Sequence, residues 1–110
     1  MSPKPFDIIA VGNAIVDVFA QVDDLFLATH GIEKNVMTLL DADRFATLYD
    51  ALSGHNRLQL VSGGSAANTA VGLAAFGGVA AFVGRVFDDV LGAAFTADIR
   101  AAGVVFNHPP

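Results

Sequence analysis

The sequence predicts an α/β fold, a mostly parallel sheet flanked by helices. Three observations predict it. Short apolar runs closed by glycine alternate along the chain with segments of helical period. Runs such as Phe6–Gly12 and Val79–Val83 are apolar almost throughout, as strands covered on both faces are. After the first two strands, successive strands are separated by helix-length segments, the connection that parallel pairing requires.

Each element rests on local chemistry. Phe6 to Gly12 (FDIIAVG) reads as a buried central strand ended by glycine. Val16 to Val22 alternates Val16, Val18, Ala20 and Val22 with Asp17, Phe19 and Gln21, so a second strand is expected there. Asp23 or Asp24 caps a short helix through Leu25-Phe26-Leu27, closed by Gly31. Asn35 to Leu40 reads as a strand. Asp41 caps a helix whose stripe is Phe45, Leu48, Tyr49 and Leu52, with Gly54 just past its end. Arg57 to Val61 alternates like a half-exposed strand. Ser65 to Phe76 is helical and Val79 to Val83 is a strand. Val90 to Ala102 is a helix with Leu91, Phe95 and Ile99 in register, stopped by Gly103, and Val104 to Phe106 begins one more strand. Phe76, Phe82, Phe95 and Phe106 are assigned to the core.

Composition bounds the function. The chain of 110 residues is room for one domain at most. Its net charge is -5, and its six Lys and Arg are scattered, which argues against nucleic acid as a partner. Cysteine is absent, which removes disulfides, thiolate nucleophiles and Cys-bound zinc and fits a reducing cytoplasm. No signal pattern opens the chain, and no apolar run approaches the ~20 residues of a membrane helix. Hydrophobic residues make up 54% of the chain against 15% charged, more apolar surface than so short a chain buries alone. The expectation is a piece of a larger protein, with a face meant for a missing C-terminal half or a second subunit.

The segment Ser62-Gly63-Gly64-Ser65-Ala66-Ala67-Asn68-Thr69 carries the chemistry. Glycine lets the backbone come close to a ligand, and the helix beyond it offers free N–H groups at its first turn. In open α/β sheets ligands gather at the carboxyl ends of strands. Two segments fall there: Gly12-Asn13-Ala14-Ile15-Val16-Asp17 and Gly63-Gly64-Ser65-Ala66-Ala67-Asn68. Together they offer a carboxylate, two amides, a hydroxyl and bare N–H groups, a set suited to a vicinal diol. The alternative is ordinary turn chemistry, with Asn13 and Asp17 satisfying a turn and the glycines permitting a tight junction. Either segment alone favours that alternative, and the pair favours a ligand.

These two segments and the run Gly77 through Gly92 resemble the pfkB, or ribokinase-like, carbohydrate and nucleoside kinases. The family's Gly-x-Val-Gly-x-Asp-x-x-Gly pattern falls on Gly84, Val86, Asp89 and Gly92, with Phe87 standing at a usual glycine. The resemblance spans residues 6–106. Within the family the chain looks most like the adenosine kinases, especially bacterial ones, because Ser65 comes directly after the double glycine, Asp23–Leu40 reads as helix then strand without the Pro- and Gly-rich turn common in ribokinases, and the opening reads Gly-Asn-Ala-x-x-Asp. That resemblance implies a ribokinase-like domain with a small β lid built from strands around 16–22 and 35–40. It implies that Asp17 and Asn68 hold the ribose hydroxyls, that the Gly63–Gly64 backbone lines the sugar, and that Asn13 and Ser65 lie beside sugar or base. The implied reaction transfers the γ-phosphoryl group of ATP, with Mg2+, to a primary sugar hydroxyl. The family's catalytic Asp stands in a Gly-Ala-Gly-Asp block that these 110 residues do not contain. Residues 1–110 are therefore expected to be the N-terminal part of the kinase domain, inactive alone, with ATP and Mg2+ bound by the full-length enzyme and not by this segment. The alternatives are another sugar kinase of ribokinase or fructokinase type, or a non-catalytic module that binds a nucleoside or sugar or pairs with a subunit.

Other candidates are weak. No P-loop pattern occurs. His30, His55 and His108 lack a partner at metal-ligand spacing. Asp88 and Asp89 read as caps of the Val90 helix. Arg85, the one basic residue near the glycine motifs, reads as a solvated loop arginine, with approach to a phosphate the alternative.

Overall fold

The computed structural model describes residues 5–55 and 58–110. In chain order the elements are β1 (Ile8–Val11), β2 (Ile15–Phe19), α1 (Asp24–Thr29), α2 (Ala42–His55), β3 (Gln59–Gly63), α3 (Ser65–Ala75), β4 (Ala80–Val83) and α4 (Val90–Ala101). Contacts divide them into two compact units: one runs to Val18 and resumes at Leu60–Pro110, and the other is Phe19–Gln59.

In the first unit, β1 and β4 pair in parallel, in register from Ile8 opposite Ala80 to Val11 opposite Val83. Helix α3 packs against both strands. On its other side β4 meets Val105 through a parallel bridge: the Phe82 N–H donates to the Val105 carbonyl at 2.9 Å, and the Val105 N–H donates to the Ala80 carbonyl at 3.0 Å. The strand expected over Val104–Phe106 is thus a single bridge. Strands β2 and β3 form a separate two-stranded sheet.

The core lies on one face of the β1–β4 pair. Phe82, Phe95 and Phe106 are fully buried, and their ring centroids are 5.6 to 5.9 Å apart. Each such burial contributes about 1.5–3 kcal/mol. Ile8 and Ala10 of β1 pack onto this cluster, together with Ala67 and Ala70 of α3 and Ile99 of α4. The alternate residues of β1 point the other way, and Ile9 and Val11 are 58% and 72% exposed. Both faces of β1 are apolar, as expected, but only one is covered among the described residues. Phe76 corrects the core assignment. It caps the C-terminus of α3, beyond the last packed turn, and is 93% exposed.

In the second unit, Asp23 caps α1 by accepting the Phe26 N–H at 2.8 Å, and Gly31 turns the chain at φ +65°. Arg44 donates from one guanidinium nitrogen to the carbonyls of His30 and Gly31, fixing that turn to α2. Asp41 caps α2 through the Arg44 N–H at 2.7 Å. The helix continues through Gly54 to His55, because Gly54 does not take the positive φ that closes a helix.

Two strand expectations are corrected. The strand read over Val16–Val22 stops at Phe19. The strand read over Asn35–Leu40 does not form. Asn35 turns left-handed at φ 63°, and no strand among the described residues pairs with residues 36–40. Met37 and Leu39 are each 88% exposed there. The strand start read at Arg57 lies outside the described residues, and β3 is seen from Gln59.

Candidate functional site

Three loops leave the carboxyl ends of β1, β3 and β4, and short contacts lock them together. The Gly12 N–H donates to the Val83 carbonyl at 3.1 Å, so the ends of β1 and β4 are tied. A methyl group on Gly12 would lie 2.7 Å from the Ala66 side chain, at the first turn of α3. One on Gly64, whose φ is +96°, would lie 2.9 Å from the Asn13 carbonyl. One on Gly63 would lie 2.7 Å from Oδ2 of Asp17. No side chain larger than hydrogen fits these positions without movement, which is the local reason for glycine at each.

The two sequence-distant segments therefore share one rim. Asp17 lies directly against Gly63, and Asn13 lies against Gly64. Ser65 opens α3 and Asn68 lies in its first turn, so both stand at the same junction by chain position. Asn13, Asp17, Ser65 and Asn68 are exposed, and none of their side chains is hydrogen-bonded among the described residues. The turn-satisfying reading of Asn13 and Asp17 thus finds no hydrogen bond to support it. Helix α3 has no side-chain cap, so its first N–H groups also remain available at this rim.

A residue that sequence reasoning passed over holds the junction from behind. Asp98 of α4 accepts the Ser62 N–H on Oδ2 at 2.6 Å, one residue before the double glycine. Its only sequence signal is its place three residues after Phe95, beside the buried stripe.

The loop from Gly84 to Gly92 completes the rim. Asp89 caps α4 by accepting the Gly92 N–H at 2.7 Å, as expected. A methyl on Gly92 would overlap the Phe87 carbonyl, so this glycine is obligatory. Phe87 stands where a glycine is usual, yet its φ is not positive and its ring is 78% exposed. The turn here therefore does not require the backbone conformation that favours glycine. His30 rests on the Phe26 ring and His108 on the Phe106 ring, and no group of acidic or histidine residues that could hold a metal occurs among the described residues.

A parallel α/β unit with a polar rim at its strand ends is an architecture that many ligand-binding proteins share, and the comparisons say to which family this one belongs. The family model for pfkB family carbohydrate kinases matches residues 8–108, and the chain belongs to that family. It is 30% identical over 104 residues to adenosine kinase 2 of Arabidopsis thaliana, covering 92% of this chain and 30% of that protein. It is similar to the crystal structure of adenosine kinase from Sinorhizobium meliloti, at 48% identity and a TM-score of 0.71, over 97% of this chain and 32% of that one. A probable sugar kinase from Rhizobium etli CFN 42 is 46% identical with the same TM-score of 0.71, over 96% of this chain and 31% of that one. The chain thus spans about a third of the length of these relatives.

Proposed function

We propose that this chain carries the sugar-binding part of an ATP-dependent nucleoside kinase of the adenosine kinase type. The reaction moves the γ-phosphoryl group of ATP to the ribose 5′-hydroxyl. The observation that carries the proposal is the Asp17 carboxylate set against the Gly63 backbone, at the junction that also presents Asn13, Ser65 and Asn68. A free carboxylate accepts hydrogen bonds from both hydroxyls of a vicinal diol, and each charge-assisted bond contributes about 1.5–3 kcal/mol. Bare glycine backbone lets the ring approach without a clash. The adenosine kinases among the similar proteins, at 48% and 30% identity, support the nucleoside reading.

The chain's own residues bind and orient; they do not supply the chemical step. Because the relatives are about three times longer, we assign the general base and the ATP contacts to a longer polypeptide. The described residues do not form a cluster fit for Mg2+, so no step through that ion is assigned to them.

The similarity to a probable sugar kinase keeps a second reading, a ribokinase- or fructokinase-type substrate. A thermal-shift panel decides between them, run on a polypeptide of the relatives' length that carries this sequence. Adenosine is expected to raise Tm more than ribose, fructose or inosine does. A larger shift with a free sugar moves the assignment to the second reading, and no shift with any of them refutes both.

A further inference from the structure

Asp98 sits where helix physics disfavours it. Aspartate is a weak helix former, and an acid in the last turn of a helix opposes the negative end of the dipole. Asp98 lies in the last turn of α4, next to the buried Ile99, and makes no ion pair among the described residues. Its Oδ2 instead accepts the Ser62 N–H, crossing from helix to strand. The helix that carries it is fixed at both ends. Asp89 caps the start through the Gly92 N–H, Phe95 and Ile99 are fully buried, and Arg100 donates through Nε to the Phe106 carbonyl at 2.8 Å. Asp98 therefore reaches β3 from a rigid support.

What it holds is the last step of the strand before the double glycine. Ser62 precedes Gly63, and a methyl on Gly63 would lie 2.7 Å from Oδ2 of Asp17. Glycine has the widest backbone freedom of any residue, so the hydrogen bond on its neighbour narrows the positions this strand end can take. A carboxylate that accepts from two neighbouring hydroxyls must be placed within about 0.5 Å of the productive geometry. A strand end free to shift by more than that would move the surface on which Asp17 rests and weaken both bonds together. The same shift would leave contacts to the rest of a ligand largely intact, so its signature is a loss of selectivity for the diol.

We infer that Asp98 is a positioning residue for sugar recognition: it sets the Ser62–Gly63 backbone against which the Asp17 carboxylate lies, and so fixes the preference for a ligand with two neighbouring hydroxyls. The inference rests on the diol reading of this rim proposed above. The test is calorimetry on a polypeptide of the relatives' length, titrated with adenosine and with 2′,3′-dideoxyadenosine. The variants are Asp98→Ala, Asp98→Glu, Asp98→Asn and, as a core control in the same helical turn, Ile99→Val. The affinity ratio of adenosine to the dideoxy analogue is expected to fall about 10-fold in Asp98→Ala, which has no acceptor, and in Asp98→Glu, whose extra methylene displaces it. Asp98→Asn keeps a carbonyl acceptor in place and should hold the ratio near the wild-type value. Ile99→Val lowers the urea midpoint but should leave the ratio unchanged, since a merely structural loss does not select against one ligand. If Asp98→Ala does not fold, the contrast between Asp98→Glu and Asp98→Asn decides. An unchanged ratio in Asp98→Glu, or an equal fall in Ile99→Val, overturns the inference while the diol reading stands. A wild type that binds both ligands equally refutes the diol reading, and the inference with it.

Discussion

Oδ2 of Asp17 would lie 2.7 Å from a methyl group built on Gly63, so the carboxylate and the glycine backbone occupy adjoining space. The two residues are far apart in sequence, on β2 and at the end of β3, and the packing of Gly12 against Ala66 and of Gly64 against the Asn13 carbonyl keeps them together. A side chain at position 63 would meet that carboxylate, so a substitution there can shift it without touching the charge.

Gly63→Ala displaces that carboxylate. We expect the KM for the nucleoside to rise at least ~10-fold, about 1.4 kcal/mol, with a smaller change in kcat. Steady-state kinetics on a polypeptide of the relatives' length checks this. A KM within twofold of wild type would show that Asp17 does not depend on this glycine.

Asp98→Ala leaves the part-buried Ser62 N–H without its acceptor. A loss of about 1–3 kcal/mol of stability is expected, read by urea unfolding. Because Ser62 adjoins Gly63, a rise in substrate KM should accompany it. An unaltered midpoint would place Asp98 outside the junction's support.

Phe95→Ala opens a cavity between Phe82 and Phe106 and should cost about 3–5 kcal/mol. Phe76→Ser, on an exposed ring at the end of α3, should change stability by less than about 0.5 kcal/mol. Differential unfolding of the two variants compares them directly. Comparable losses would mean that Phe76 is covered in solution.

Much of the fold is legible in the sequence because the relevant signals are local. Asp41 is readable as a cap, and Asp23 and Asp89 each as one of two adjacent candidates, Asp23 or Asp24 and Asp88 or Asp89, between which the structure chooses. The strand cores of β1 and β4 are readable from apolar runs ended by glycine. The features that sequence misses depend on partners elsewhere in the chain. Asn35–Leu40 has the composition of a strand, but nothing among the described residues pairs with it. Phe76 has the residue type of a core position, but it falls past the last packed turn. Asp98 looks like a surface acid, because its acceptor role depends on a strand that is 36 residues distant. The juxtaposition of Asp17 and Gly63 is expected from the rule that strand carboxyl ends face one rim; its closeness comes from three glycine contacts that sequence alone does not measure.

The most direct test of diol binding at this rim compares adenosine with 2′,3′-dideoxyadenosine on wild type and on Asp17→Asn, by calorimetry on a polypeptide of the relatives' length. If the rim holds a vicinal diol, the wild type binds adenosine about 100-fold more tightly than the dideoxy analogue, and Asp17→Asn loses most of that difference while binding the analogue as before. Equal affinity of the wild type for both ligands, or an undiminished preference in Asp17→Asn, would contradict it.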